Sequence, residues 1–422
     1  MSGSRPRIEK AITWLVVLMR HGLLPNPKWP MPNSGSHGGK EWRVENLGEP
    51  RRNPRRLARG GAQMRKWRPL ALAWLLFGTP ALGTAQVEKV VAGINVYDEP
   101  FISQPAQDAE IEQMVAGGVR TIRTGLSAKS TYFIKQAFQH GIDSVVIVYP
   151  CAGTGAKGRK SWSDIPLSEA NPQAFAKWLQ PLLDDLEDTG VRLAAFELGN
   201  EINIPRFNGD LDDPGSGRVL GVADLNNPND AEGRAVVVGF RAYLRVLASL
   251  KAVRDNSKLN KTTPILSAGL ADWGLPSRTS WNKQVGVSLP DAIEFLRQNG
   301  LDEMADGYGV HNYPSGDPHL PVSTRISELE QKIFSACRKG SKPCWLTEWG
   351  FANANQYCPL EDGARMQLIE AERRAFNRFV RQGRLAAVLY YTWTGLPGQL
   401  DPMAVFRCGA LTAAGRLAVS PM

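Results

Sequence analysis

Residues 194–203 read AAFELGNEIN and residues 344–351 read CWLTEWGF. The two stretches share one construction, an apolar run of strand length that stops at a carboxylate. In the first the carboxylate is Glu201, directly after Asn200; in the second it is Glu348, between Thr347 and Trp349. Short apolar runs bounded in this way read as strands buried on both faces, the kind found in parallel sheets. From residue 90 onward the same theme repeats, with strand candidates at 90–96, 119–126, 144–149, 193–198, 265–270, 307–311, 344–347 and 387–391. Amphipathic stretches at 109–116, 131–139, 172–186, 231–253, 291–297, 323–337 and 364–381 fall between them. Eight strands alternating with helices, and a closing segment after Gly409, predict an α/β fold of the (β/α)8 barrel type in a single domain over residues 86–422. A doubly wound open sheet would carry a glycine-rich phosphate turn after its first strand, and here that turn reads NVYDEPF.

In such a barrel, chemistry sits on the C-terminal ends of the strands and in the loops after them. Glu201 and Glu348 end the fourth and seventh strand candidates, which lie across the mouth from one another. A single glutamate after a strand is ordinarily a loop ion pair, but a facing pair is what cleavage of a glycosidic bond requires. One carboxylic acid protonates the leaving oxygen while the other stabilises or attacks the anomeric carbon. The donor of such a pair must keep its proton at neutral pH although a free glutamate titrates near about 4.3, and an anionic partner close by has that effect. Glu197 lies inside the fourth run rather than at its end, so it is expected to be an interior group paired with a basic residue.

These motifs, in this strand order, resemble clan A of the glycoside hydrolases, retaining enzymes on (β/α)8 barrels; the resemblance runs from Val90 to the C-terminus. It implies Glu201 as proton donor, Glu348 as nucleophile, and Asn200 as a ligand of the sugar 2-hydroxyl. Arg123, in VRTIRTGL, is similar to the arginine that hydrogen-bonds the nucleophile. His311 and Tyr313, in YGVHNYP, match a histidine and a tyrosine around the reacting sugar, and Trp393, in YYTWTG, resembles the platform tryptophan beneath it. Asn203, Trp273 and Trp349 are weaker candidates. ELGNE resembles families 39 and 79, TEWGF family 39, and the general layout family 5, so the family and the sugar stay open. Retention predicts the two carboxyl groups about 5 to 5.5 Å apart, where inversion needs roughly 6.5 to 9.5 Å. A transglycosylase using the same residues is the alternative activity, and a non-catalytic carbohydrate-binding barrel is a third.

The formal net charge of +9 has its source at the front of the chain, where residues 1–63 hold 12 Lys and Arg against 4 Asp and Glu. Only +1 remains for the rest, and no zinc-finger spacing or RNA-binding aromatic signature occurs, so no nucleic-acid partner is expected. Residues 64–85, MRKWRPLALAWLLFGTPALGTA, have the cationic start, apolar centre and small residues of a secretory signal peptide. Its apolar centre is too short to span a bilayer. Translation is therefore expected to start at Met64, with residues 1–63 a disordered or misassigned extension, and the product is expected to be secreted or periplasmic without stable membrane insertion. Two disulfides, Cys337 with Cys344 and Cys358 with Cys408, leaving Cys151 over, would fit an oxidising compartment; five unpaired thiols is the alternative. No cysteine or histidine spacing suits a metal, so no metal or other cofactor is expected. The expected partner is a poly- or oligosaccharide, and the protein is expected to be a monomer.

Overall fold

The computed structural model describes residues 90–154, 165–272, 283–339, 342–353, 355, 357–358 and 360–422. The expected signal peptide at 64–85, the stretch 1–63 and Trp273 lie outside these residues. Eight parallel strands form one sheet: β1 (Val91–Asn95), β2 (Thr121–Gly125), β3 (Asp143–Val148), β4 (Ala195–Leu198), β5 (Ile265–Leu266), β6 (Tyr308–Asn312), β7 (Cys344–Trp349) and β8 (Leu385–Tyr390). Their order is β5-β4-β3-β2-β1-β8-β7-β6. Parallel bridges Leu266–Gly307 and Leu270–Val310 join the two ends of that series, so the sheet closes on itself as a (β/α)8 barrel.

The helices surround it: α1 (Gln104–Ala116), α2 (Thr131–Gln139), α3 (Pro172–Glu187), α4 (Ala231–Asn256), α5 (Leu289–Gln298), α6 (Val322–Leu329), α7 (Gly363–Arg381) and α8 (Ala413–Val419). Several begin at side chains that satisfy a free backbone N–H, as Asn171, Asp230, Ser288 and Thr412 do for α3, α4, α5 and α8. A π-helical stretch, Glu330–Phe334, and a short helix, Ser335–Lys339, continue α6.

The strand period separates two apolar layers. Phe196, Leu198, Leu346 and Val388 face the helices in the main core, whereas Val145, Ala195, Leu266, Trp345, Ala387 and Leu389 fill the barrel interior. One step further along the strands, the inward positions become polar: Asn95, Arg123, Glu197 and Thr347, all buried. A packed apolar plug thus sits beneath a polar layer that opens at the C-terminal mouth.

β5 is much shorter than the run 265–270 suggests. Beyond Leu266 the backbone N–H of Ala268 goes to the Tyr243 hydroxyl at 2.9 Å, and the Ser267 hydroxyl takes the N–H of Gly309 at 3.0 Å, so side chains interrupt the ladder. Cys337–Cys344 and Cys358–Cys408 form disulfides with Cα atoms 5.7 and 5.8 Å apart. Cys151 lies outside both, its sulfur 3.6 Å from the Pro166 carbonyl oxygen. Among the described residues no helix is long and apolar enough to cross a membrane.

Candidate active site

Arg123, on β2, is the centre of the polar layer and is almost wholly buried. Its Nε donates to Glu197, its Nη1 donates to Glu348 Oε1 and to Asn95 Oδ1, both at 2.7 Å, and its Nη2 donates to Asn200 Oδ1 at 2.8 Å. One guanidinium therefore links the ends of β1, β4 and β7 and uses its donors in a fixed fork. Burial alone would favour the neutral form, but the carboxylates of Glu197 and Glu348 more than reverse this and hold the guanidinium protonated. Asn200 spends its carbonyl oxygen on Arg123, which leaves its amide hydrogens for a ligand.

Two local irregularities bring the carboxylates into place. On β7, Thr347 already faces inward and donates to Glu197 Oε1 at 2.7 Å, so strict alternation would turn the next residue outward. The pairing with β6 slips at this point, from Val310–Leu346 to His311–Glu348, and the bulge returns Glu348 to the interior. At the end of β4, Glu201 has φ +45°, in the left-handed region that a non-glycine residue occupies at a cost of order 1–3 kcal/mol. Its backbone N–H is held by the Gly269 carbonyl at 2.7 Å.

Glu348 is buried and fully engaged. Besides Arg123, the Tyr313 hydroxyl donates to its Oε2 at 2.6 Å, and His311 Nδ1 stands 3.5 Å from the same oxygen. Burial pushes its carboxyl upward, yet the charges of His311 and Arg123 and the hydrogen bonds from Tyr313 and Arg123 prevail and hold it below the ordinary carboxylate value. Burial and the adjacent Glu348 charge raise the Tyr313 phenol well above its usual value. Tyr313 remains 44% exposed although its hydroxyl turns inward.

His311 is completely buried, with Nδ1 2.9 Å from Glu201 Oε1. One oxygen of Glu201, one of Glu348 and a ring nitrogen of His311 all lie within 4.8 Å of one another. Among the described residues this is the one set with donor types and spacing for a cation. The Arg123 guanidinium already supplies positive charge to Glu348 there.

The structure thus gathers Glu201, Glu348, Arg123, Asn200, His311 and Tyr313 at one mouth, and leaves Trp393 out. Trp393 is fully buried, its indole stacked on Phe406 at 5.0 Å, so it offers no ring face to a sugar. The cause lies in the backbone after β8, where the Thr392 hydroxyl and the Trp393 N–H both donate to the Asn95 carbonyl and draw the chain beneath β1. Trp349 is likewise buried, edge-on to Phe376 and Tyr390. Asn203 is structural, bonding the backbone of Ala271 and Val287.

The aromatic groups that do reach the mouth went unread in the sequence. Tyr391, directly after β8, stacks parallel to Tyr97, two residues after β1, at 5.5 Å and lies edge-on to Tyr313 at 6.3 Å. The Tyr97 hydroxyl donates to Asp401 Oδ2 at 2.7 Å. Both tyrosines satisfy the strand-end criterion that selects Glu201 and Glu348, whereas Trp393 in YYTWTG rests on the family resemblance.

No family model matches the chain, and no curated protein matches it in sequence. Solved structures do match in backbone. An endo-1,4-β-mannanase from Rhizomucor miehei superposes with TM-score 0.50 at 13% identity, over 78% of this chain and 93% of that one. Fungal β-1,4-galactanases give 0.48 at 13%, over 78% and 93%, and a broad-specificity endoglucanase from an uncultured bacterium gives 0.48 at 15%, over 82% and 96%. At 13% identity the likeness to the mannanase shows the barrel fold alone.

Proposed function

We propose that this protein is a retaining glycoside hydrolase acting on a poly- or oligosaccharide outside the cytoplasm, with Glu348 as nucleophile and Glu201 as acid and base. The observation that carries the reading is the meeting of two carboxylates from opposite strands across one gap, oxygen to oxygen within 4.8 Å. That spacing accords with direct attack on the sugar rather than attack by an interposed water, which needs roughly 6.5 to 9.5 Å between the carboxyl groups.

The two carboxylates stand in different surroundings, as their two tasks require. Glu348 is kept anionic by Arg123 and is steadied by Tyr313. It attacks the anomeric carbon; the bond from that carbon to the leaving oxygen breaks, and the leaving oxygen takes the proton of Glu201. The product of this step is a glycosyl ester on Glu348. Glu201, now ionised, removes a proton from water as the water oxygen attacks the anomeric carbon, and Glu348 departs as the carboxylate. Two displacements restore the original anomeric configuration. Asn200, with its amide hydrogens unspent, is placed to hold the 2-hydroxyl, and the Tyr97–Tyr391 pair supplies the flat apolar surface on which a ring can rest.

The barrel is a fold shared with a named endo-1,4-β-mannanase, which is compatible with a glycan substrate. The two disulfides support an extracytoplasmic location.

The test is azide rescue on whichever glycan or aryl glycoside the purified protein cleaves. Glu348→Gly should lose turnover by at least about 10³-fold, and azide should restore cleavage with a glycosyl azide of inverted configuration. Glu201→Ala should be rescued to the azide of retained configuration. Normal activity in either variant would remove the mechanism.

A further inference from the structure

The mechanism leaves two features of the polar layer unused. His311 spends Nδ1 on Glu201, while its other ring nitrogen, Nε2, is buried without a hydrogen-bond partner among the described residues. Glu197, four residues before Glu201, is wholly buried. Gly269 shows where the two meet. A Cβ placed on Gly269 would stand 2.5 Å from Glu197 Oε1, 2.8 Å from Thr347 Oγ1 and closer still to His311 Nε2. All three polar atoms therefore border the space beside Gly269, with Glu197 Oε1 and Thr347 Oγ1 hydrogen-bonded to each other on one side of it and His311 Nε2 on the other, and glycine at 269 keeps that space open.

We propose that Glu197 is a positioning residue that acts on Glu201 through His311: its carboxylate, facing the Nε2 edge of the imidazole, keeps a hydrogen on that nitrogen. This rests on the reading of Glu201 as acid and base. A neutral imidazole carries one hydrogen, and its neighbours decide which nitrogen holds it. On the Nε2 side stand Glu197 and the Thr347 hydroxyl, which donates its own hydrogen to Glu197 and so presents lone pairs outward. Among the described residues neither a donor nor an acceptor is hydrogen-bonded to Nε2, so the carboxylate acts on it through its field. A bare Nε2 would set lone pairs against lone pairs in a buried site, whereas an N–H there meets a negative field.

With Nε2–H fixed, the hydrogen that comes and goes with pH is the one shared between Nδ1 and Glu201 Oε1. When the imidazole also carries a hydrogen on Nδ1, it donates to Glu201 Oε1, and the second oxygen of Glu201 is the one that holds the proton for the leaving group. The other groups around the imidazole are consistent with this. Glu348 lies on the Nδ1 side, and Arg123 is committed to Glu197 and Glu348. Tyr313 donates to Glu348, and Tyr243, on α4, accepts from Ala268 N–H. Tyr149, just past β3, is held in its phenol form by burial, its value pushed up to about 12. Arg123 is thus the only full cation among them, and it faces the carboxylates.

The experiment is 15N–1H NMR of the histidine side chains in the full chain, with His311→Gln used to assign the resonance. In the wild type, Nε2 of His311 should retain its directly bonded hydrogen across the pH range of activity. In Glu197→Gln that hydrogen should be lost as pH rises, and the alkaline limb of kcat/KM should move about one pH unit lower. A hydrogen-free Nε2 in the wild type at neutral pH would overturn the proposal. So would a Glu197→Gln variant that loses rate equally at every pH with its alkaline limb unmoved, which is the signature of a purely structural group. The wild-type spectrum needs no variant, so the proposal stays open to refutation even if Glu197→Gln does not fold. A wild type with Nε2–H but no glycosidase activity counts against the function, not against the placement of the hydrogen.

Discussion

At the scale of single residues, the site is a set of charges in which Arg123 answers two carboxylates and Tyr313 and His311 tune one of them. Glu348 is held below the ordinary carboxylate value, so it stays ionised until the pH drops beneath about 4.3, and the acidic limb of kcat/KM should lie in that range. Tyr313→Phe removes a hydrogen bond that lowers Glu348, so the acidic limb should move toward neutrality and kcat should fall about 10- to 100-fold; a pH–rate profile of the variant checks both. An unchanged limb would detach Tyr313 from the titration of Glu348. Arg123→Lys keeps the charge but cannot reach Glu197, Glu348, Asn95 and Asn200 together, so it should cost about 10²-fold or more in kcat. Glu201 and Glu348 are legible in the sequence because each follows an apolar run at a strand end, whereas Arg123, in the middle of β2, is pointed to by the family resemblance and not by its position. Trp393 was misread because the same signal, an aromatic after a strand, also describes a side chain folded back into the core. Only the hydrogen bonds to the Asn95 carbonyl decide between the two.

At the scale of elements, the geometry of the proposed site depends on departures from regular structure that a hydropathy pattern does not encode. The bulge on β7 lets Thr347 and Glu348 both face inward, and the left-handed backbone at Glu201 turns its side chain over the mouth. A strand period of two would have sent one member of each neighbouring pair outward. Gly269 belongs to the same group, since β5 stops early and the chain passes close enough to His311 that no side chain fits. Gly269→Ala should therefore destabilise the fold by about 1–3 kcal/mol and reduce activity disproportionately by displacing His311; chemical denaturation and kcat of the folded fraction measure the two effects separately. Near-wild-type stability together with near-wild-type kcat would show that the space at Gly269 has no bearing on the site.

At the scale of the whole molecule, the barrel was readable because its strands are buried on both faces and therefore appear as unbroken apolar runs, while charge, turns and caps mark the helices between them. Loop interiors were not readable, and they hold a feature with a global consequence. Asp98 and Glu99 after β1 and Glu110 on α1 are buried, with Asp98 Oδ1, Glu99 Oε2 and both Glu110 oxygens lacking a hydrogen-bond partner among the described residues. Burial raises their carboxyls to about 6, 8 and 9, with neighbouring acids adding to the rise for Glu99 and Glu110. In the unfolded chain the same groups ionise near about 4. Ionisation thus favours unfolding: the fold is unaffected by these groups below about pH 4 and loses stability as pH rises toward 8 to 9. The melting temperature should accordingly be higher at pH 5 than at pH 9, and Glu110→Gln should flatten that slope. A melting temperature that rises with pH over this interval would mean the cluster is neutralised in some other way.

The central claim is that Glu201 and Glu348 stand close enough for a covalent glycosyl intermediate. Proton NMR of the first sugar released from a substrate of known anomeric configuration tests it most directly. The account predicts that the product appears first with the configuration of the substrate and only then mutarotates; first appearance of the opposite anomer would contradict it.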